Sequence, residues 1–404
     1  MRAGASRPPR HRSSRQMDAR DFFGYKHPDE EPGRRPESED GGEDSPPQFE
    51  EAITLDAPEV IKRIDTSDML GRVRELPQQV AQGRRVAAAL DLDQRHRDVD
   101  AVLVLAMGGS AIGAELVSGV AGDRLRVPLI VHRDYGLPAW AGQRTLVVAA
   151  SHSGETVETL SGATAARTRG LPLVVASTGG ALGRRAEADD SPYLHYEQPG
   201  QPRAAVGYGL VMLHELLARA GLITDPDPYG PAVEALESLL ERNAPSVPTE
   251  ANPAKQLAWL MFGRIPIIYG AGAMSAVAHR WKTQLNENTK AWAMYEPMPE
   301  ANHNAIEGTL NPRELSDALY VVELREREEA EAIGARYRVV EELLGERATN
   351  RSQVWAEGPS PLARTLTAVA MGDLVSVYLA ILYQTDPTPV TLLAMLKERL
   401  ARTD

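Results

Sequence analysis

The chain contains no cysteine. Disulfides and thiolate metal sites are therefore excluded, and the cytoplasm is the simplest home. A long unbroken apolar run is also missing. Residues 259–278, "WLMFGRIPIIYGAGAMSAVA", are interrupted by Arg264 and Pro266 and are rich in glycine. That pattern suits a strand–turn–helix unit rather than a membrane span. The Arg-rich beginning is followed by no apolar segment of the secretory kind. The nine histidines are scattered without ligand spacing, and HExxH is absent, so no metal site is expected. Positive charge is in deficit: the formal net charge is −12. This argues against non-specific nucleic-acid binding, while leaving room for a local pocket that takes an anionic metabolite.

What is present is an ordinary globular composition, 43% hydrophobic and 25% charged over 404 residues, long enough for about two to three domains. Residues 1–50 stand apart. A basic stretch, "MRAGASRPPRHRSSR", precedes a largely acidic one rich in Pro, Gly and Ser. Neither has a core-forming period, so a disordered tail is expected, with Met17 as an alternative start. Residues 51–84 carry helical segments around Pro77. From residue 85 to 225, short apolar runs ("AVLVLAM", "VPLIVHR", "RTLVVAA", "LPLVVAST") alternate with helical stretches. This is the signature of a parallel sheet covered on both faces. After a Pro-rich linker at 226–249 the alternation restarts. Residues 265–287, "IPIIYGAGAMSAVAHRWKTQLNE", repeat the layout of "VLVLAMGGSAIGAELVSG". The expected fold is α/β, two doubly wound parallel-sheet domains of one architecture, 85–225 and 250–404.

Two corners of the first domain are suited to an anion. "MGGSAIG" offers Gly108, Gly109 and Ser110 at a strand end where a helix begins. "SHSGET" offers Ser151, Ser153 and Thr156 at another. Glycines let backbone approach a ligand, helix N-termini present free N–H groups, and hydroxyls donate to phosphate oxygens. Helix capping by Ser151 or Ser153, with Glu155 or Glu158 in the first turn, accounts for the second corner without a ligand. His152, between two inward serines, is expected to alternate away. Further on, Glu287 and His303 lie in a polar stretch, where a carboxylate and an imidazole can serve as base and acid on a sugar. Pairing of Glu287 with Lys290, and a backbone-bonded loop role for His303, are the structural alternatives.

Four motifs, "MGGSAIGAE", "SHSGETVET", "QLNENTKAW" with "PEANHNAIEG", and the ending "DLVSVYLAILYQTDPTPVTLLAMLKERL", together resemble the bifunctional phosphoglucose/phosphomannose isomerases of archaea and bacteria. The likeness runs from about Asp56 to the C-terminus. It implies a homodimer of chains with two sugar-isomerase (SIS) domains each, acting on hexose 6-phosphates through a cis-enediol without metal or organic cofactor. It implies phosphate binding by Gly108, Gly109, Ser110, Ser151, Ser153 and Thr156. It implies Glu287 as the base, Arg203 as the enediolate-stabilising cation, and His303 and Lys397 in ring opening, with His303 reaching the site from the neighbouring subunit. Two positions depart from the family pattern. Ala111 replaces a glycine, which would tighten the phosphate corner, and His152 replaces a tyrosine, which would alter sugar-side contacts. A non-catalytic sugar-phosphate sensor or scaffold built on the same domains is the alternative function.

Overall fold

The computed structural model describes residues 54–312, 318–345, 350–400 and 402. The expected disordered tail lies outside them. The chain opens on three helices, α1 (Pro58–Ile64), α2 (Met69–Arg74) and α3 (Leu76–Ala88), with Pro77 in the first turn of α3, where its missing N–H costs nothing. After α4 (Gln94–Arg97) comes an alternation of strands and helices: β1 (Ala101–Leu105), α5 (Gly108–Ala121), β2 (Leu129–His132), β3 (Thr145–Ala150), α6 (Val157–Thr168), β4 (Leu173–Ser177), α7 (Gly180–Ala188), β5 (Tyr193–His195) and α8 (Val206–Arg219). The five strands are all parallel, in the order β2-β1-β3-β4-β5.

Within the 226–249 stretch, α9 (Tyr229–Arg242) forms an amphipathic helix. Then follow α10 (Pro253–Met261), β6 (Ile265–Ala271), α11 (Ala273–Gln284), β7 (Met294–Met298), β8 (Leu319–Arg325), α12 (Glu331–Gly345), β9 (Arg351–Trp355), α13 (Pro361–Leu382) and α14 (Thr391–Leu400). The second sheet is also parallel, in the order β7-β6-β8-β9. Two parallel sheets with helical crossovers are what the apolar runs demanded. Arg325 ends β8, and the charged helix that follows starts at Glu331.

Strand alternation explains the layering. In β1, Val102 and Val104 face a large core that also contains side chains of α3, α8, α11 and α13, whereas Leu103 and Leu105 face a smaller core under α6 and α7. In β8, Val322 and Leu324 share the large core, and Val321 joins Tyr269 and Tyr337 in a third cluster under α12. The central helices thus lie between the sheets and weld the two halves. The helix α13 is long and apolar enough to cross a bilayer, which the run at 259–278 is not, but 94% of its apolar window is buried within the fold. Close approach in this layer needs glycine: a Cβ on Gly113 of α5 would meet the carbonyl carbon of Gly209 in α8 at 2.8 Å.

His214 of α8 is completely buried, with Nδ1 2.8 Å from the Tyr229 hydroxyl and Nε2 without a partner. Burial holds its pKa down at about 4 against an ordinary 6.5. The folded state therefore binds fewer protons than the unfolded chain between those values. Its contribution to stability is complete above about pH 6.5 and is lost as pH falls toward 4, about 3 kcal/mol in all. Urea unfolding at pH 7.5 and 4.5 should show a smaller acid loss in His214→Gln than in the parent chain. Equal losses would contradict the assignment.

Candidate active site

The first corner is built as the sequence suggests. Met107 is extended, Gly108 has φ +49°, and α5 starts at once. A Cβ on Gly109 would lie 3.3 Å from the backbone nitrogen of Arg203, so this glycine lets the Pro202–Ala205 turn press against the helix start. Ser110 Oγ accepts the His152 N–H at 3.3 Å, which joins the two corners. Ala111 is buried in the large core rather than at the corner, so the methyl fills core space.

At the second corner the capping alternative fails. The N-cap of α6 is Thr156, and its side chain makes no capping bond. Ser151 Oγ instead pairs with Thr156 Oγ1 at 2.8 Å and accepts the Gly154 N–H at 3.1 Å. Ser153 Oγ accepts the Glu155 N–H at 3.2 Å. Gly154, with φ +68°, lies against the next loop so closely that a Cβ would meet Gly179 O at 2.0 Å. His152 does not alternate away. It lines, with Gly109, Ser110 and Ser151, a cavity of about 30 Å³ beneath both corners. Its Nδ1 is 3.2 Å from the Tyr196 hydroxyl, and burial lowers its pKa, against a hydrogen bond to the Gly200 carbonyl.

The acid–base candidates Glu287 and His303 lie in the other half. Beyond α11 the chain makes one π-helical turn, Leu285–Thr289. The wider turn re-aims side chains relative to an α-helix. It places Glu287 Oε2 3.1 Å from Arg203 Nη1. Arg203 is 2% exposed, and all five of its N–H groups are used. Nε donates to Asn288 Oδ1 (2.7 Å), Nη1 to Glu287 Oε2 and to Gln201 Oε1 (3.3 Å), and Nη2 to the carbonyls of Pro387 (2.7 Å) and Thr388 (2.8 Å). Burial lowers the Arg203 pKa, and Glu287 beside it pushes it back up; a guanidinium stays charged regardless.

A second buried arginine supports the first. Arg280 of α11 grips Asp373 of α13 with both Nε (3.0 Å) and Nη2 (2.6 Å) and donates to Arg203 O at 2.9 Å. Gln284 donates to the same carboxylate at 2.9 Å, while Asn288 reaches Ser376 Oγ at 2.8 Å. Lys290 does not pair with the Glu287 carboxylate. Its ammonium bonds the Glu287 carbonyl instead, at 2.7 Å.

The structure therefore brings both corners, Arg203 and Glu287 into one continuous assembly. It does not bring in His303 or Lys397. His303 is an exposed residue of the Glu300–His303 turn and Lys397 lies on α14, whose residues are all exposed; among the described residues, no hydrogen bond joins either to Glu287 or Arg203. Sequence reading missed Asn288, Gln201, Asp373 and the Pro387–Thr388 segment, where Thr388 Oγ1 is buried without a partner. "NEN" and "TDPTP" were in view, but nothing local tells that these segments meet.

Two parallel sheets of one strand order, with hydroxyl-lined corners on the first and a glutamate delivered from the second, define a protein of two SIS domains. Residues 250–400 match the family described as bacterial phospho-glucose isomerase C-terminal SIS domain. The chain is 37% identical over 335 residues to the bifunctional phosphoglucose/phosphomannose isomerase of Caldicellulosiruptor bescii, covering 82% of this chain and 99% of that one. It is 32% identical over 302 residues to the Aquifex aeolicus protein of the same name, covering 74% and 90%. The crystal structure of a hypothetical protein from Thermus thermophilus shares the fold, with a TM-score of 0.66 at 18% identity over 86% of this chain and 94% of that one. The chain belongs to the bifunctional phosphoglucose/phosphomannose isomerase family, and it is an isomerase.

The Arg280–Asp373 pair yields a stability prediction. Asp373→Asn leaves Arg280 buried without a counter-charge, at a cost of about 3–5 kcal/mol. Denaturant midpoints measure this directly; a loss below about 1 kcal/mol would show that the pair is not the support described.

Proposed function

We propose that this chain interconverts glucose 6-phosphate and mannose 6-phosphate with fructose 6-phosphate through a cis-enediol. The observation that carries the reading is the contact of Glu287 with the buried Arg203, whose backbone presses on Gly109 of the phosphate corner. In the proposed reaction, Gly108, Gly109, Ser110, Ser151, Ser153 and Thr156 hold the phosphate by hydroxyls and helix N-termini, orienting the non-reacting end. Glu287 takes the proton from C2 of the open aldose and returns it to C1, while the carbonyl oxygen gains the proton lost from the C2 hydroxyl. Arg203 supplies fixed positive charge where the enediolate forms. No metal or organic cofactor takes part.

The active form in this reading is a cytoplasmic homodimer. His303, which makes no hydrogen bond to Glu287 among the described residues, would serve the site of the second subunit, and Lys397 would assist ring opening with it. Exposed apolar side chains support a partner surface: Trp292, just before β7, and Leu392 are each 82% exposed, and Leu393, Met395 and Leu396 are exposed on α14 with Leu392.

The test is direct. Purified protein with fructose 6-phosphate in EDTA should form both aldoses, with deuterium entering from D₂O. Glu287→Gln should lose about 10²–10⁴-fold in kcat while still binding hexose phosphate by calorimetry. Binding without turnover in the parent chain would instead indicate a sensor. Mixing inactive Glu287→Gln and His303→Ala chains should restore activity, because one site of the mixed dimer has both groups intact. No recovery after subunit exchange would place His303 outside the neighbouring site.

A further inference from the structure

Lys290 ends the π-helical turn in a left-handed backbone conformation, with φ +57°. Although much of its side chain is exposed, its ammonium is turned onto backbone. Three protons meet three carbonyls: Glu287 O at 2.7 Å, Asn288 O at 3.2 Å and Pro387 O at 2.9 Å. The last of these also accepts from Arg203 Nη2 at 2.7 Å. One carbonyl thus carries both cations. The turn holding Glu287 and the segment holding Arg203 are joined through it. Those segments are remote in sequence and share no strand or helix, so this bridge joins the Arg203 bonds to Asn288 and Glu287 in setting the spacing of carboxylate and guanidinium.

We infer that Lys290 is a positioning residue for the isomerisation: its ammonium ties the Glu287 turn to the Pro387 segment and so fixes the distance between base and cation. The inference rests on the reading of Glu287 as base given above. The charged groups facing Lys290 are Arg203 on the Pro202–Ala205 turn, Asp386 on the segment after α13, and Glu287 on its own turn. Burial and, next, Arg203 pull the ammonium down to about 8 from 10.5, against Asp386 and Glu287. Above that pH a neutral amine keeps two N–H groups for three carbonyls. The unfolded chain binds the extra proton between about 8 and 10.5, so this group's contribution to global stability rises over that window. Activity and stability should therefore move in opposite directions, which a purely structural lysine would not produce.

Lys290→Met and Lys290→Arg test the inference, with kcat and KM for fructose 6-phosphate measured from pH 6.5 to 10. Lys290→Met should lower kcat about 10–100-fold with KM changed less than about threefold, as expected of misplaced reacting groups. Lys290→Arg should recover most of kcat and move the alkaline limb from about 8 to above 9, since a guanidinium does not titrate there. If Lys290→Met does not fold, Lys290→Arg carries the test through that limb. A kcat within about twofold of the parent in Lys290→Met, or an unmoved limb in Lys290→Arg, would overturn the inference. An inactive parent chain, or full turnover in Glu287→Gln, would overturn the base assignment and this inference with it.

Discussion

A buried guanidinium governs the architecture of this site. Arg203 is nearly inaccessible, and an unpaired cation there would cost far more than any single contact returns. Its five donors are met by Gln201 from its own turn, Glu287 and Asn288 from the π-helical turn, and two carbonyls from the segment after α13. Its carbonyl is held by Arg280, which is held by Asp373. No subset of these groups satisfies the cation. The first-half turn, the end of α11 and the end of α13 must therefore dock together, and the two halves form one unit around the charge.

The internal repeat makes the division of labour intelligible. Both sheets have the same strand order up to β5, and the starts of α5 and α11 follow equivalent strands. Gly119, late in α5, touches Ala273, at the start of α11, so closely that a Cβ would lie 2.8 Å from the Ala273 Cα. At the other end, the turn beyond α11 meets Arg203 beside the start of α5. The helices are thus antiparallel, and the second half delivers its helix end to the corner of the first. The corresponding corner of the second half has taken a different course. At the end of β8, Arg325 pairs with Glu329 at 3.0 Å and stacks over Tyr337 and Trp355. That corner is filled by its own side chains, and its glutamates would repel an anion.

Much of this was legible in the sequence, for physical reasons that also mark the limits. Fully buried parallel strands read as unbroken apolar runs, so β1, β3, β4 and β8 were evident. The edge strand β7 was not: "MYEPM" contains Pro297 and is buried at one end only, as edge position allows. β5, three residues long, gave no period to detect. The hydroxyl-lined corners were visible because glycine and serine there are local requirements of a turn. Glu287, His303, Arg203 and Lys397 could be singled out by resemblance. The partners that hold Arg203 could not, since Asn288 and the Pro387 carbonyl reach it across 85 and 184 positions, and carbonyl acceptors leave no mark on residue identity.

The resting pairing of Arg203 with Glu287 bears on how the proposed reaction proceeds. Four of the five acceptors are neutral amide or peptide oxygens on Arg203's own turn or on segments docked against it. Only Glu287 is charged, and its side chain is 31% exposed. In the proposed reaction, a developing oxyanion on the substrate would compete for the guanidinium by displacing the acceptor that is both solvent-accessible and anionic. Exchange of carboxylate for oxyanion keeps the cation neutralised throughout, so no step leaves a bare charge in the protein. The same exchange releases the Glu287 oxygen toward the carbon-bound proton as the cation becomes available to the oxygen beside it. In the proposed reaction, the ion pair would then hold both groups ready for their two roles.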